Sequence, residues 1–140
     1  MPSYRVAASG SGIPVGFTNS DLANHNVRGT SFVAENNFSV FVPYEQAYRH
    51  RFRADKKQRP VVLSCDIHPW VKAWIYVFDH SFFAVSDAEG KLRIDGISPG
   101  THELQLRQPD VAYRAVRNVP VTAGETTRIE LRISDRDLRP

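Results

Sequence analysis

Short alternating runs of Val, Ile and Phe, each cut off by glycine, proline or a polar cluster, leave this chain little but strands and turns to fold into. Eight glycines and nine prolines in 140 residues place the breaks close together and argue against long helices. Val15 and Phe17 alternate with Gly16 and Thr18. Phe38, Val40 and Val42 alternate with Ser39 and Phe41 until Pro43 ends the run. Tyr48, His50 and Phe52 share one face of the next segment, and Arg49, Arg51 and Arg53 the other. Val61, Leu63 and Cys65 fall on one face of a strand entered from Pro60, and Trp74 to Phe78 reads as a strand covered on both sides. Further strands are expected at Tyr4–Val6, Phe82–Val85, Leu92–Ile94, His102–Arg107, Val116–Val121 and Thr127–Ile133, followed by a charged tail over Ser134–Pro140. Turns are expected at Ser9–Gly12, Asp87–Gly90, Pro99-Gly100 and Ala123-Gly124, and His25 falls in a polar loop.

The fold class is therefore all-β. A hydrophobic content of 41% over 140 residues suffices for one ordinary core, or for two small β modules sharing an interface, and excludes two large independent domains. Eighteen basic residues against 15 acidic ones give a formal charge of +3, too mild a bias to indicate nucleic acid. No stretch approaches the ~20 apolar residues of a membrane span, and the N-terminus lacks the basic-then-apolar pattern of a signal peptide.

Chemistry concentrates in one place. The only cysteine, Cys65, ends an apolar run, His68 follows three residues later, and His25 stands far upstream. A lone cysteine cannot form an internal disulfide, and on its own it is most simply a small buried hydrophobe. Joined by two imidazoles, it forms the trigonal soft-ligand set that suits copper in electron transfer, with a fourth, axial ligand that is weak and variable. No Ser/His/Asp order, phosphate loop, paired-carboxylate motif or His-Glu-x-x-His helix appears, so an enzyme is not expected.

The stretches Phe17-Thr18-Asn19-Ser20-Asp21, His25-Asn26-Val27 and Cys65-Asp66-Ile67-His68-Pro69-Trp70 resemble the cupredoxins, the plastocyanin-like blue copper domains. That resemblance runs from about Val15 to Phe78. It implies a Greek-key β-sandwich, one copper per chain held by His25, Cys65 and His68 and cycling between Cu(I) and Cu(II), and Asn26 tying the two ligand loops together by hydrogen bonds. The remainder, through Asp87-Ala88-Glu89-Gly90 and Pro99-Gly100-Thr101, resembles the carboxypeptidase-regulatory-like, prealbumin-type β-sandwich. The implied organisation is a copper-binding domain over residues 1–78 and a smaller β module over 79–140, with strand 74–78 as a candidate for sharing between them.

The chain departs from the cupredoxin pattern at the axial position. Where cupredoxins commonly carry methionine it has Val71, and its only methionine is Met1. Either Val71 leaves the site three-coordinate, or another group such as His80 supplies a fourth ligand; His80 is otherwise a surface turn residue. Glu35 and Asp66 are weaker candidates, since a carboxylate on thiolate-bound copper would be unusual. Trp70 is placed to shield the metal or present a docking surface, Trp74 to fill the core, and His50 and His102 to sit at the core margin. The Arg49/Arg51/Arg53 stripe, with Lys56, Lys57 and Arg59, is either a solvated strand face or a means of steering an acidic redox partner. The expected function is electron transfer through a mononuclear copper site without axial methionine. The alternatives are a non-redox interaction module whose metal is lost or structural, and a copper carrier. The cupredoxin likeness implies a location outside the cytoplasm, such as the periplasm.

Overall fold

The computed structural model describes residues 4–138. Among them lie nine strands, a single 3-10 turn at Ala34–Asn36, and no α-helix. The strands are β1 (Tyr4–Gly10), β2 (Pro14–Thr18), β3 (His25–Thr30), β4 (Phe38–Val42), β5 (Ala47–Arg51), β6 (Val61–Ser64), β7 (Lys72–Phe78), β8 (Gly100–Gln108) and β9 (Tyr113–Val121). Met1 and the last two residues of the expected charged tail lie outside the described residues. The chain divides into two compact units, residues 1–92 and 93–140; the sequence reading sets its own boundary at Phe78. No helix among the described residues is long and apolar enough to cross a membrane.

In the first unit one sheet runs in the order β1-β7-β6-β3-β4 and a second consists of β2 and β5. β1 lies parallel to β7 at the sheet edge, while the other neighbours are antiparallel. The two sheets close on a core of Phe52, Val61, Leu63, Ile75 and Val77, against which Val15, Phe17, Val27, Phe38, Ala54 and Ala73 pack. Phe52 and Val61 are almost wholly buried, each worth roughly 1.5–3 kcal/mol relative to exposure. Alternation explains the assignment: in β6 Val61 and Leu63 face inward, and Cys65, next on the same face, is buried too.

Two residues show how closely the layers meet. Gly29, in β3, is the cross-strand partner of Phe38, and a Cβ there would collide with the Phe38 ring and stand 2.9 Å from the Asn36 carbonyl oxygen. Asn36 is almost wholly buried yet satisfied. Its amide nitrogen donates to the Arg53 carbonyl at 2.8 Å and its side-chain oxygen accepts the Arg53 N–H at 2.7 Å.

The second unit contains the β8–β9 hairpin, paired from Gly100 with Val121 to Gln108 with Tyr113. Three expected strands, Phe82–Val85, Leu92–Ile94 and Thr127–Ile133, are not among the strands of the described residues. Ile129 and Ile133 remain 48% and 42% exposed, with Leu131 between them partly buried, so the face they share is only partly covered. The turn at Asp87–Gly90 is present, with Gly90 at φ 77°, where L side chains are strained, and the Asp87 side chain accepting the N–H groups of Glu89 and Lys91. His25 belongs to a strand rather than a loop. It opens β3, because its backbone registers with Val42 of β4.

Candidate metal centre

Three elements deliver the expected ligands to one end of the first unit. β3 opens on His25, β6 runs inward-facing into Cys65, and the loop between β6 and β7 carries His68. The Nδ1 atoms of His25 and His68 are 3.1 Å apart, and each stands 3.7 Å from Cys65 Sγ. This is the one group of metal-ligating side chains among the described residues.

The donor set fits a metal ion. A triangle with those sides has its centre about 2.0 Å from each corner, the length of a metal–imidazole bond and slightly inside the ~2.3 Å of a metal–thiolate bond. At 3.1 Å the two ring nitrogens stand at hydrogen-bond distance, which a single proton between them satisfies. A cation in the middle would satisfy both lone pairs and the thiolate together.

The local electrostatics prepare the sulfur. Burial pushes the Cys65 thiol up, but the backbone N–H groups of Asn26 and His68 and the bonds from the two imidazoles bring its pKa down to about 7. A lowered pKa makes the thiolate, the form that binds a metal, easier to reach. Burial pulls the His25 imidazole down, yet its bonds to Cys65 and Asp21 outweigh that and leave its pKa above the ordinary value.

Asn26 joins the two ligand segments. Its Nδ2 donates to Asp66 Oδ2 at 2.7 Å, its Oδ1 accepts the Asp66 N–H at 2.6 Å, and the same oxygen lies 3.4 Å from Cys65 Sγ. Arg28 closes the network through an ion pair with Asp66 at 2.9 Å. Asp66 is thereby engaged away from the cluster.

The remaining candidates fall elsewhere. His80 is remote from the cluster: it follows β7 whereas His68 precedes it, and the strand's seven residues span about 23 Å at ~3.3 Å each. Its Nδ1 accepts the Phe82 N–H at 3.2 Å. Glu35 sits exposed in the 3-10 turn. Val71 is half-buried and its N–H donates to the His68 carbonyl at 2.9 Å, closing the ligand loop. Trp70 is 58% exposed with its ring 5.2 Å from that of His68, while Trp74 is buried. His50 sits at the core margin against Phe38 and Phe52, while His102 is only partly exposed in β8; from Nε2 they donate to the carbonyls of Glu35 and Ser98.

Sequence reasoning missed two partners, Asp21 and Arg28. Asp21 Oδ2 lies 2.9 Å from His25 Nε2. Its separation of four residues from the histidine was the available signal, but reading His25 as a loop residue hid the geometry.

No protein-family model matches the chain, and no curated protein does. Among solved structures it is similar to the copper-containing nitrite reductase of Thermus scotoductus SA-01, at 24% identity and a TM-score of 0.44 over 52% of this chain; it spans 19% of that enzyme's length. It is also similar to a purple cupredoxin from Nitrosopumilus maritimus, at 21% identity and a TM-score of 0.43, over 52% of this chain and 77% of that one. A proline-to-alanine variant of amicyanin in its oxidised state gives 22% identity and a TM-score of 0.42, over 52% and 69%.

Proposed function

We propose that this chain is an electron carrier that holds one copper ion between His25 Nδ1, Cys65 Sγ and His68 Nδ1. The observation that carries the reading is the convergence of one thiol and two imidazole nitrogens, 3.1 to 3.7 Å apart, on elements fixed by the sheet and by Asn26. Copper would supply a one-electron Cu(I)/Cu(II) couple. The chain's part is to keep the three donors in one arrangement for both charge states. β3 and β6 are hydrogen-bonded neighbours, and Asn26 braces Asp66, so neither ligand segment needs to move when the charge changes. A fixed ligand set keeps reorganisation small.

The exposed Trp70 beside half-buried His68 is the natural approach for a redox partner, and the exposed Arg49, Arg51 and Arg53 favour an acidic one. Residues 79–140 are read as a prealbumin-type β module appended to the copper unit, and the protein as working outside the cytoplasm; both rest on the sequence resemblance. Asn26 is assigned as the brace of the ligands and Val71 as the occupant of the axial position.

The test is optical. Copper-loaded oxidised protein should show an intense thiolate-to-copper band in the visible, bleach on adding a mild reductant and recover on reoxidation. A protein that takes up copper but does not cycle is a carrier, and one that takes up neither Cu(I) nor Cu(II) is a non-redox module.

A further inference from the structure

We infer that Asp21 is a positioning residue of the metal centre: its carboxylate, set in place by the buried Asn19, accepts the hydrogen bond of His25 Nε2–H and so fixes which ring nitrogen is offered to the metal. The inference rests on the copper reading for its purpose but not for its geometry.

The chemistry of the contact is one-sided. A carboxylate oxygen accepts and has no proton to give, so the 2.9 Å contact to Asp21 Oδ2 requires the hydrogen of neutral His25 to be on Nε2. The lone pair is then on Nδ1, the atom that lies 3.7 Å from Cys65 Sγ and 3.1 Å from His68 Nδ1. With the other tautomer Nδ1 would carry a proton into the cluster and could not bind a cation.

Asp21 is an exposed side chain, so what matters is how its backbone is held. Asn19 is 6% exposed, and its Oδ1 accepts the Asp21 N–H at 2.9 Å. Its Nδ2 donates to the Ala23 carbonyl at 2.8 Å and to the Val42 carbonyl at 2.9 Å. Its backbone N–H bonds the Gln46 carbonyl, and its carbonyl accepts from Glu45. Val42 is the cross-strand partner of His25. The turn that carries the carboxylate and the strand that carries the imidazole are therefore referred to the same residue of β4, which sets their separation before any metal arrives.

Two variants separate positioning from mere packing. Asp21→Asn keeps an accepting oxygen and loses the charge; Asp21→Ala loses both. In metal-free protein at alkaline pH, long-range proton–nitrogen NMR should find wild-type His25 as the Nε2–H tautomer, Asp21→Asn largely the same, and Asp21→Ala a mixture of both. In copper competition, Asp21→Ala should bind roughly 10- to 100-fold more weakly, with Asp21→Asn recovering most of the loss. The reduction potential should rise in both variants, because a negative charge near the ion favours Cu(II). A role confined to the turn would lower the melting temperature and leave tautomer and potential where they are, and that result overturns the inference. An Asp21→Ala protein with an unchanged Nε2–H tautomer overturns it as well. Should wild-type protein bind no copper, the functional proposal falls while the tautomer measurement still decides the role of Asp21.

Discussion

Val71 is where this chain differs most from its cupredoxin resemblance. Its N–H holds the His68 carbonyl and its side chain is half-buried at the end of the ligand loop, so it is anchored by the loop that presents His68. If Val71 takes the place of an axial ligand, as proposed, a valine cannot donate electrons, and a copper ion lacking even a weak fourth donor would favour Cu(I). Val71→Met should therefore lower the reduction potential by on the order of 100 mV, about 2 kcal/mol for one electron, with copper still bound. Potentiometric titration checks this. A potential unmoved by Val71→Met but altered by His80→Ala would show the axial argument to be wrong, although some 23 Å of β7 separate the two histidines' loops. Cys65, His68 and His25 could be read from the sequence because soft ligands are rare and their types alone suggest the chemistry. Asp21 could not, since a carboxylate four residues before a histidine means nothing until the strand start is known. Asn26 could be named through the resemblance, but its bonds to both Asp66 atoms depend on pairing between segments forty residues apart.

Among the elements, the segment between β5 and β6 depends on Asp55. That carboxylate is buried, accepts the Lys57 N–H at 2.9 Å and takes the Arg59 guanidinium through Nε at 2.6 Å. The Arg59 bond, with the Lys57 N–H behind it, holds its pKa below the ordinary value against the effect of burial. A carboxyl depressed in the folded state contributes stability that is complete above the unfolded value near ~3.9 and is lost as pH falls through the lower folded value. Asp55→Asn should thus cost about 1–3 kcal/mol at neutral pH, with the gap to wild type closing in acid. Denaturant titrations at neutral pH and in acid measure it; a gap independent of pH would contradict the assignment. The strands that sequence alternation located correctly, β4, β5, β6 and β7 among them, each have a neighbour to pair with and a core to face. Thr127–Ile133 has the same alternation, is not among the strands of the described residues, and keeps Ile129 and Ile133 about half exposed. Alternation reports that a segment can bury one face; it does not report that a sheet edge is waiting for it.

At the scale of the whole molecule, every proposed ligand, the core cluster and the Asn26 network belong to the unit ending at Leu92. Its all-β class followed from composition and period. The parallel pairing of β1 with β7 did not, because a first strand joining a late one is a long-range event that local pattern leaves open. Nor does the sequence mark Leu92 as the end of the first unit, since the turn at Gly90 looks like any other. The central claim, one copper held by one sulfur and two imidazole nitrogens, is most directly tested by X-ray absorption at the copper edge on protein loaded with one equivalent. One sulfur and two imidazoles should be seen in the first shell, with the sulfur lost in Cys65→Ser and one imidazole lost in His25→Ala. A shell without sulfur in the wild type, or one indifferent to Cys65→Ser, would contradict it.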